Sequence, residues 1–120
     1  MREIKFRAWD EEAQKMSYST IEHFDDMLGF RFEHFETDEP IFMQYTGLKD
    51  KNGREIYEGD IVEQELLGNA PLDFGSFIGV VKFIDGTYMI ENAEGTFGVE
   101  LFSETNPNEV IGNIFKSSWG

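Results

Sequence analysis

The run Val80-Val81-Lys82-Phe83-Ile84-Asp85-Gly86-Thr87-Tyr88-Met89-Ile90 narrows the possible folds more than any other stretch of the chain. Asp-Gly between two alternating hydrophobic runs predicts a hairpin, because both turn residues must accept positive φ. A two-residue turn there sets Phe83 opposite Tyr88 and Val81 opposite Ile90, giving one apolar face of four side chains. Lys82 and Met89 fall on the other face. A helix would scatter the same residues around its axis.

The pattern recurs along the chain. Ile4–Trp9, a polar turn at Asp10–Lys15 and Met16–Ser19 read as a first hairpin. In its first strand Ile4, Phe6 and Ala8 share one face, and Lys5, Arg7 and Trp9 share the other. That alternation predicts a strand solvated on one side. Residues 20–35 are ambiguous. Thr20 could cap a short helix carrying Ile21, Phe24 and Leu28, with Gly29 as its stop. Phe30–Phe35 favours a strand, and a second hairpin is the reading preferred over the helix. Glu36–Pro40 is polar and ends in proline, which suits a boundary. Ile41–Tyr45 then leads into a dense segment, Tyr45–Val62. It reads as a turn, a basic loop around Asn52-Gly53, a second turn at Gly59-Asp60 and the start of a strand, Ile61–Leu67. Asn69–Ser76 reads as a loop, Thr96–Phe102 as a strand and Glu109–Phe115 as the last strand. In that last strand Val110 and Ile114 share a face. Lys116–Gly120 reads as a frayed tail.

The expected fold is therefore all-β. Twelve phenylalanines and twelve glycines fit sheets punctuated by tight turns. Residues 1–44 form an N-terminal β-hairpin subdomain in this reading. Residues 45–120, with four to five short strands after residue 55, form a small SH3-like β-barrel. A chain of 120 residues buries roughly two-thirds of its unfolded surface.

The composition removes several function classes. There is no cysteine, so disulfides, thiolate zinc sites and a cysteine nucleophile are excluded. No apolar run approaches the ~20 residues of a membrane helix. No long apolar stretch follows the charged residues at the N-terminus, so no signal peptide is expected there. A cytoplasmic protein of a bacterial host is the expectation. The formal net charge is −14, from 24 acidic and 10 basic residues. General nucleic-acid binders are usually basic, since phosphate contacts supply most of their affinity. The acidity reads as solubility, or more sharply as a surface that imitates DNA.

No phosphate loop and no G-x-S-x-G context occurs, and no cofactor is expected. His34, Glu36 and Asp38 stand at alternate positions, as metal ligands on a strand would. They fall in an acidic loop, and no metal site is expected. Acid pairs such as Asp25-Asp26 and Glu11-Glu12 suit exposed turns. The expected binding residues are Lys49, Lys51, Arg54 and Tyr57. Basic groups interleaved with aromatics, here Tyr45 and Tyr57, suit single-stranded nucleic acid. Asp60 is expected to hydrogen-bond local backbone at the start of its strand.

Three pieces of sequence carry a family resemblance. They are Ile4–Asp10 with Lys15-Met16, Met43–Val62, and Glu109–Phe115. In this order they resemble the YopX-like proteins of bacteriophages and prophages. The resemblance implies a mostly β phage protein with an N-terminal β subdomain and a C-terminal SH3-like barrel. It implies no catalytic residues. The resulting expectation is a non-enzymatic module that binds a host or phage protein and self-associates through unburied aromatics. The alternative is a nucleic-acid-related role, as an acidic DNA mimic or as a weak binder through the Lys49–Arg54 loop.

Overall fold

A computed structural model describes residues 4–24, 27–31, 34–65, 75–103 and 106–115. The fold is all-β, with no helix among the described residues. The strands in chain order are β1 (Phe6–Asp10), β2 (Lys15–Tyr18), β3 (Thr20–Phe24), β4 (Met27–Arg31), β5 (Ile41–Lys49) and β6 (Glu55–Tyr57). β7 (Asp60–Glu65), β8 (Ser76–Ile84), β9 (Thr87–Glu91), β10 (Gly98–Glu100) and β11 (Asn108–Asn113) follow. They form sheets ordered β2-β1-β5-β6, β3-β4 and β10-β9-β8-β7-β11. The five-stranded sheet curls into a half-barrel. The chain divides into two compact units, Met1–Tyr45 and Thr46–Gly120.

In the first unit β1 is a central strand, paired with β2 and with the first half of β5. The expected solvated face is absent. Ala8 lies on one side of β1 and Arg7 and Trp9 on the other, yet each is 2% exposed or less. The face bearing Ala8 ends at Asp10, which is tied to a later loop. Its Oδ2 accepts from Glu36 N at 2.6 Å and its Oδ1 from Thr37 N at 3.2 Å. These bonds tie Glu36 and Thr37 to the end of β1. Phe35 meets Phe42 edge-on at 6.1 Å, and Phe42 stands opposite Ala8. The two faces of the strand were legible from alternation, but the burial of the face bearing Arg7 and Trp9 was not.

Residues 20–31 form a hairpin, with Thr20 opposite Arg31 and Phe24 opposite Met27. The helical alternative is thereby excluded. Of the expected Phe30–Phe35 strand, Phe30 and Arg31 belong to β4 and His34 and Phe35 are in no strand; Phe32-Glu33 and Asp25-Asp26 lie outside the described residues.

The second unit contains a core of Ile56, Val62, Val81, Ile90, Leu101 and Val110. The Asp85-Gly86 hairpin has the expected register, with Val81 opposite Ile90 and Phe83 opposite Tyr88. Asp85 and Gly86 have φ of 51° and 85°, as a two-residue turn requires. The four-residue apolar face is only partly inside. Val81 and Ile90 are buried and Tyr88 packs on the core. Phe83, next to the turn, is exposed and meets Tyr88 at 5.0 Å.

Three other expectations shift. Thr46-Gly47 is not a turn, because β5 continues through it to Lys49. Gly47, at φ +87°, lets the strand bend while Thr46 Oγ1 donates to Ile56 O and accepts from Leu48 N. Strand β10 is three residues rather than seven. In β11 Ile111 is an extra residue between Val110 and Gly112. Such a bulge reverses the facing of everything after it, so Val110 is buried and Ile114 is exposed. The end of the predicted Ile61–Leu67 strand, most of the Asn69–Ser76 loop and the Lys116–Gly120 tail lie outside the described residues.

Candidate functional site

Lys49, Lys51 and Arg54 sit together on the turn between β5 and β6, and all three are exposed. The turn is organised by the residue between them. Asp50 is 7% exposed. Its Oδ1 accepts from Asn52 N and Arg54 N, each at 2.9 Å. Its Oδ2 accepts from Val110 N at 3.0 Å. Burial alone would raise the Asp50 carboxyl. The three backbone donors, with the nearby Arg54 charge, outweigh that and hold it below the usual aspartate value.

These contacts dock the turn on the outer edge of β11. Lys51 N donates to Asn108 O at 2.9 Å, and Val110 N is taken by Asp50. An exposed sheet edge offers unpaired backbone groups to other chains, and proteins commonly cover it. Here the basic turn is the cover. Lys51 Nζ lies 3.2 Å from Glu65 and 3.6 Å from Glu109. The Glu65 hydrogen bond and both glutamate charges raise the Lys51 ammonium above its ordinary value. Tyr57 does not present its ring to solvent, being 3% exposed, and its hydroxyl reaches Glu55 at 3.4 Å. Tyr45 is buried as well. Neither expected aromatic is placed to stack on a base. Asp60 acts as expected, its Oδ2 accepting from Tyr57 N at 2.8 Å.

The other end of the five-stranded sheet is β10, and its edge is treated differently. Asn92 N donates to Phe97 O, and Leu101 N donates to Tyr88 O. Alternation in an antiparallel ladder then turns the backbone groups of Gly98 and Glu100 away from β9. Side chains close the far half of this edge. Gln64 Nε2 donates to Glu100 O at 3.1 Å and to Asn108 Oδ1 at 2.9 Å. Asn108 Nδ2 donates to Leu101 O at 2.9 Å. The near half, at Gly98, has no such closure among the described residues. Phe97 adjoins it and Phe102 lies past the closed half, 60% and 62% exposed. Phe97 also meets Phe77 edge-on at 5.6 Å. Glu94 and Glu100 are exposed alongside.

His34 and Glu36 line one cavity with Asp10, and Asp38 does not join them. Among the described residues no group of three His, Cys, Asp or Glu side chains is arranged to hold a metal ion. Nor is any helix long and apolar enough to cross a membrane.

Sequence reasoning passed over Asp50, Gln64, Phe97 and Phe102. Asp50 before Asn-Gly carries a local signal, since aspartate at the start of a turn commonly accepts from the backbone two residues on. Its bond to Val110 has no local signal. Phe97 and Phe102 read as ordinary strand residues until β10 proves shorter than its hydrophobic run.

Known proteins extend this description. No curated protein matches the chain. The crystal structure of protein EF1440 from Enterococcus faecalis is similar, with a TM-score of 0.56 and 26% sequence identity. The match covers 96% of this chain and 95% of that one. Residues 5–119 match the family described as YopX protein. Nearly the whole chain is included, and the protein belongs to the YopX family.

Proposed function

We propose that the protein is a non-enzymatic interaction module whose β10 edge takes an extended, basic segment of another protein. The observation that carries this reading is the outward-turned backbone of Gly98 with the outward Glu100 N–H, the Glu100 carbonyl being held by Gln64, and with exposed Phe97 and Phe102 on the same segment. Backbone pairing at such an edge supplies register, and flanking apolar side chains supply affinity. Burying two phenylalanines contributes roughly 4 kcal/mol before the cost of ordering the partner. Charge favours a basic partner over a second copy of this chain. Residues 61–120 carry only Lys82 and Lys116 as basic groups, and Lys82 is paired with Glu91 at 2.7 Å. Two copies meeting at this surface would bring like charges together.

The reading by binding also draws support from the buried carboxylates. Asp10, Asp50 and Asp60 are each committed to backbone N–H groups, which leaves them poorly suited to proton transfer. Membership of the YopX family supports a partner of host or phage origin in a bacterial cytoplasm. The nucleic-acid alternative is weakened by Lys51, which two glutamates already hold, and by the buried rings of Tyr45 and Tyr57.

The test uses 15N-labelled protein and a short synthetic peptide alternating lysine with valine. The expected result is amide shifts concentrated at residues 97–102, weakening as salt is raised. Equal binding by the glutamate–valine counterpart would overturn the reading. So would shifts centred on residues 49–54.

A further inference from the structure

The backbone groups along the β10 edge are not equally available. Val99 stands opposite Ile90, Asn92 N donates to Phe97 O and Leu101 N donates to Tyr88 O. Gly98 therefore turns both its N–H and its C=O away from β9, and Glu100 does the same. The Glu100 carbonyl, however, is already in use. Gln64 Nε2 donates to it at 3.1 Å and to Asn108 Oδ1 at 2.9 Å. Gln64 is buried, so this bond belongs to the closure of the half-barrel.

An antiparallel partner strand meets these groups in a set order. One of its residues exchanges both hydrogen bonds with Gly98. The residue two places earlier stands opposite Glu100. There its C=O accepts from Glu100 N, but its N–H meets a carbonyl that Gln64 occupies. A donor brought to an occupied acceptor costs free energy once the edge is covered. Proline has no N–H and is at home on an edge strand. The residue opposite Gly98 meets a different demand. Its side chain lies on the face that carries Glu91 and Glu100, since Gly98 itself stands opposite Glu91. Gly98 has no side chain to fill that face. Lys82 already holds Glu91 at 2.7 Å. Glu100 is exposed and stands diagonally within reach of a long side chain.

We propose that the β10 edge selects a Pro-x-Lys or Pro-x-Arg segment, bound antiparallel, with the basic residue opposite Gly98 and the proline opposite Glu100. Gln64 is the specificity-determining residue, because it takes the place of one donor in the partner. The proposal rests on the reading of β10 as a docking edge and adds where that edge accepts proline.

The probes are synthetic peptides titrated into the 15N-labelled full chain. The parent is acetyl-Val-Thr-Val-Lys-Val-Thr amide. In one derivative proline replaces the threonine two places before lysine. In another the lysine backbone nitrogen carries a methyl group, and in a third norleucine replaces lysine. The parent is expected to shift the amides of residues 97–102. The proline peptide should bind at least as tightly as the parent, and the backbone-methylated peptide at least about fivefold weaker. The norleucine peptide should bind about threefold weaker. Gln64→Ala releases the Glu100 carbonyl, so there the proline peptide should fall about threefold behind the parent. The wild-type comparison decides the proposal by itself should Gln64→Ala fail to fold. A proline peptide weakened as much as the backbone-methylated one overturns the proposal and leaves the docking edge standing. Full binding by the backbone-methylated or norleucine peptide overturns it as well, as does an unchanged proline preference in folded Gln64→Ala. A parent that shifts none of residues 97–102 overturns both the proposal and the docking edge.

Discussion

Val110 N–H donates to Asp50 Oδ2 at 3.0 Å, across sixty positions of sequence. That bond fastens the basic turn to the edge of β11, while Asp50 Oδ1 shapes the turn itself through Asn52 N and Arg54 N. Asp50→Ala leaves three backbone donors without acceptors, one of them buried. The expected cost is about 3 kcal/mol, from roughly 1–3 kcal/mol for a buried unsatisfied group and less for exposed ones. Asp50→Asn retains one acceptor oxygen and should cost about half as much. Urea unfolding measures both, and a loss under about 0.5 kcal/mol in Asp50→Ala would show that the turn holds without its carboxylate.

Acid should remove part of this stability. The Asp50 and Asp10 carboxyls are held below their ordinary values in the fold. The folded state then binds fewer protons than the unfolded chain near those values, so lowering the pH favours unfolding. The contribution is fully present above the unfolded value of about 3.9 and is lost as the pH falls through the folded values. Protonating other carboxylates acts the opposite way, because it relieves the self-repulsion of a −14 chain. The comparison that isolates the effect is wild type against Asp50→Asn between pH 6 and pH 2. The gap between their urea midpoints should close toward acid, and a constant gap would refute the linkage.

Gly79 is a close-approach glycine. A Cβ there would meet the Glu91 carbonyl oxygen, its carbonyl carbon at 2.7 Å and Ile90 Cγ2 at 2.9 Å. Backbone cannot yield as a flexible side chain does, so β8 and β9 would have to separate. Gly79→Ala should cost roughly 2–3 kcal/mol, a typical value for overpacking. Ala at Gly98 meets Ile90 O at 3.0 Å and should cost less. Thermal melts of the two variants check the order.

Gln64 is the polar closure of the half-barrel. Replacing it with leucine strands the acceptors at Glu100 O and Asn108 Oδ1. About 2 kcal/mol of stability should be lost. Hydrogen exchange distinguishes this from a general loosening: amides of residues 98–102 should exchange faster than those of β8, whose partners are untouched.

The parts of the fold that were legible in the sequence are those with a local cause. Asp85-Gly86 requires positive φ and so sets the β8–β9 register. Asp60 finds its backbone donor three residues away. What escaped depends on contacts between distant segments. The face of β1 bearing Lys5, Arg7 and Trp9 reads as solvated, yet Arg7 and Trp9 are buried in the fold. Ile114 reads as a partner of Val110, until the bulge at Ile111 reverses it. The basic turn reads as a binding loop because its lysines are visible in sequence, whereas the sheet edge it covers is not. For the candidate surface, the length of β10 decided the matter, and strand length is set by where pairing stops.

The most direct measurement compares three proteins against one fluorescent peptide that alternates lysine with valine: wild type, Phe97→Ser/Phe102→Ser, and Lys49→Ala/Arg54→Ala. Fluorescence anisotropy should show at least about tenfold weaker binding in the phenylalanine variant, from the apolar burial it forgoes. The Lys49→Ala/Arg54→Ala variant should bind as well as wild type or slightly better, having lost two positive charges. Binding that survives loss of both phenylalanines but collapses with Lys49 and Arg54 would contradict the account.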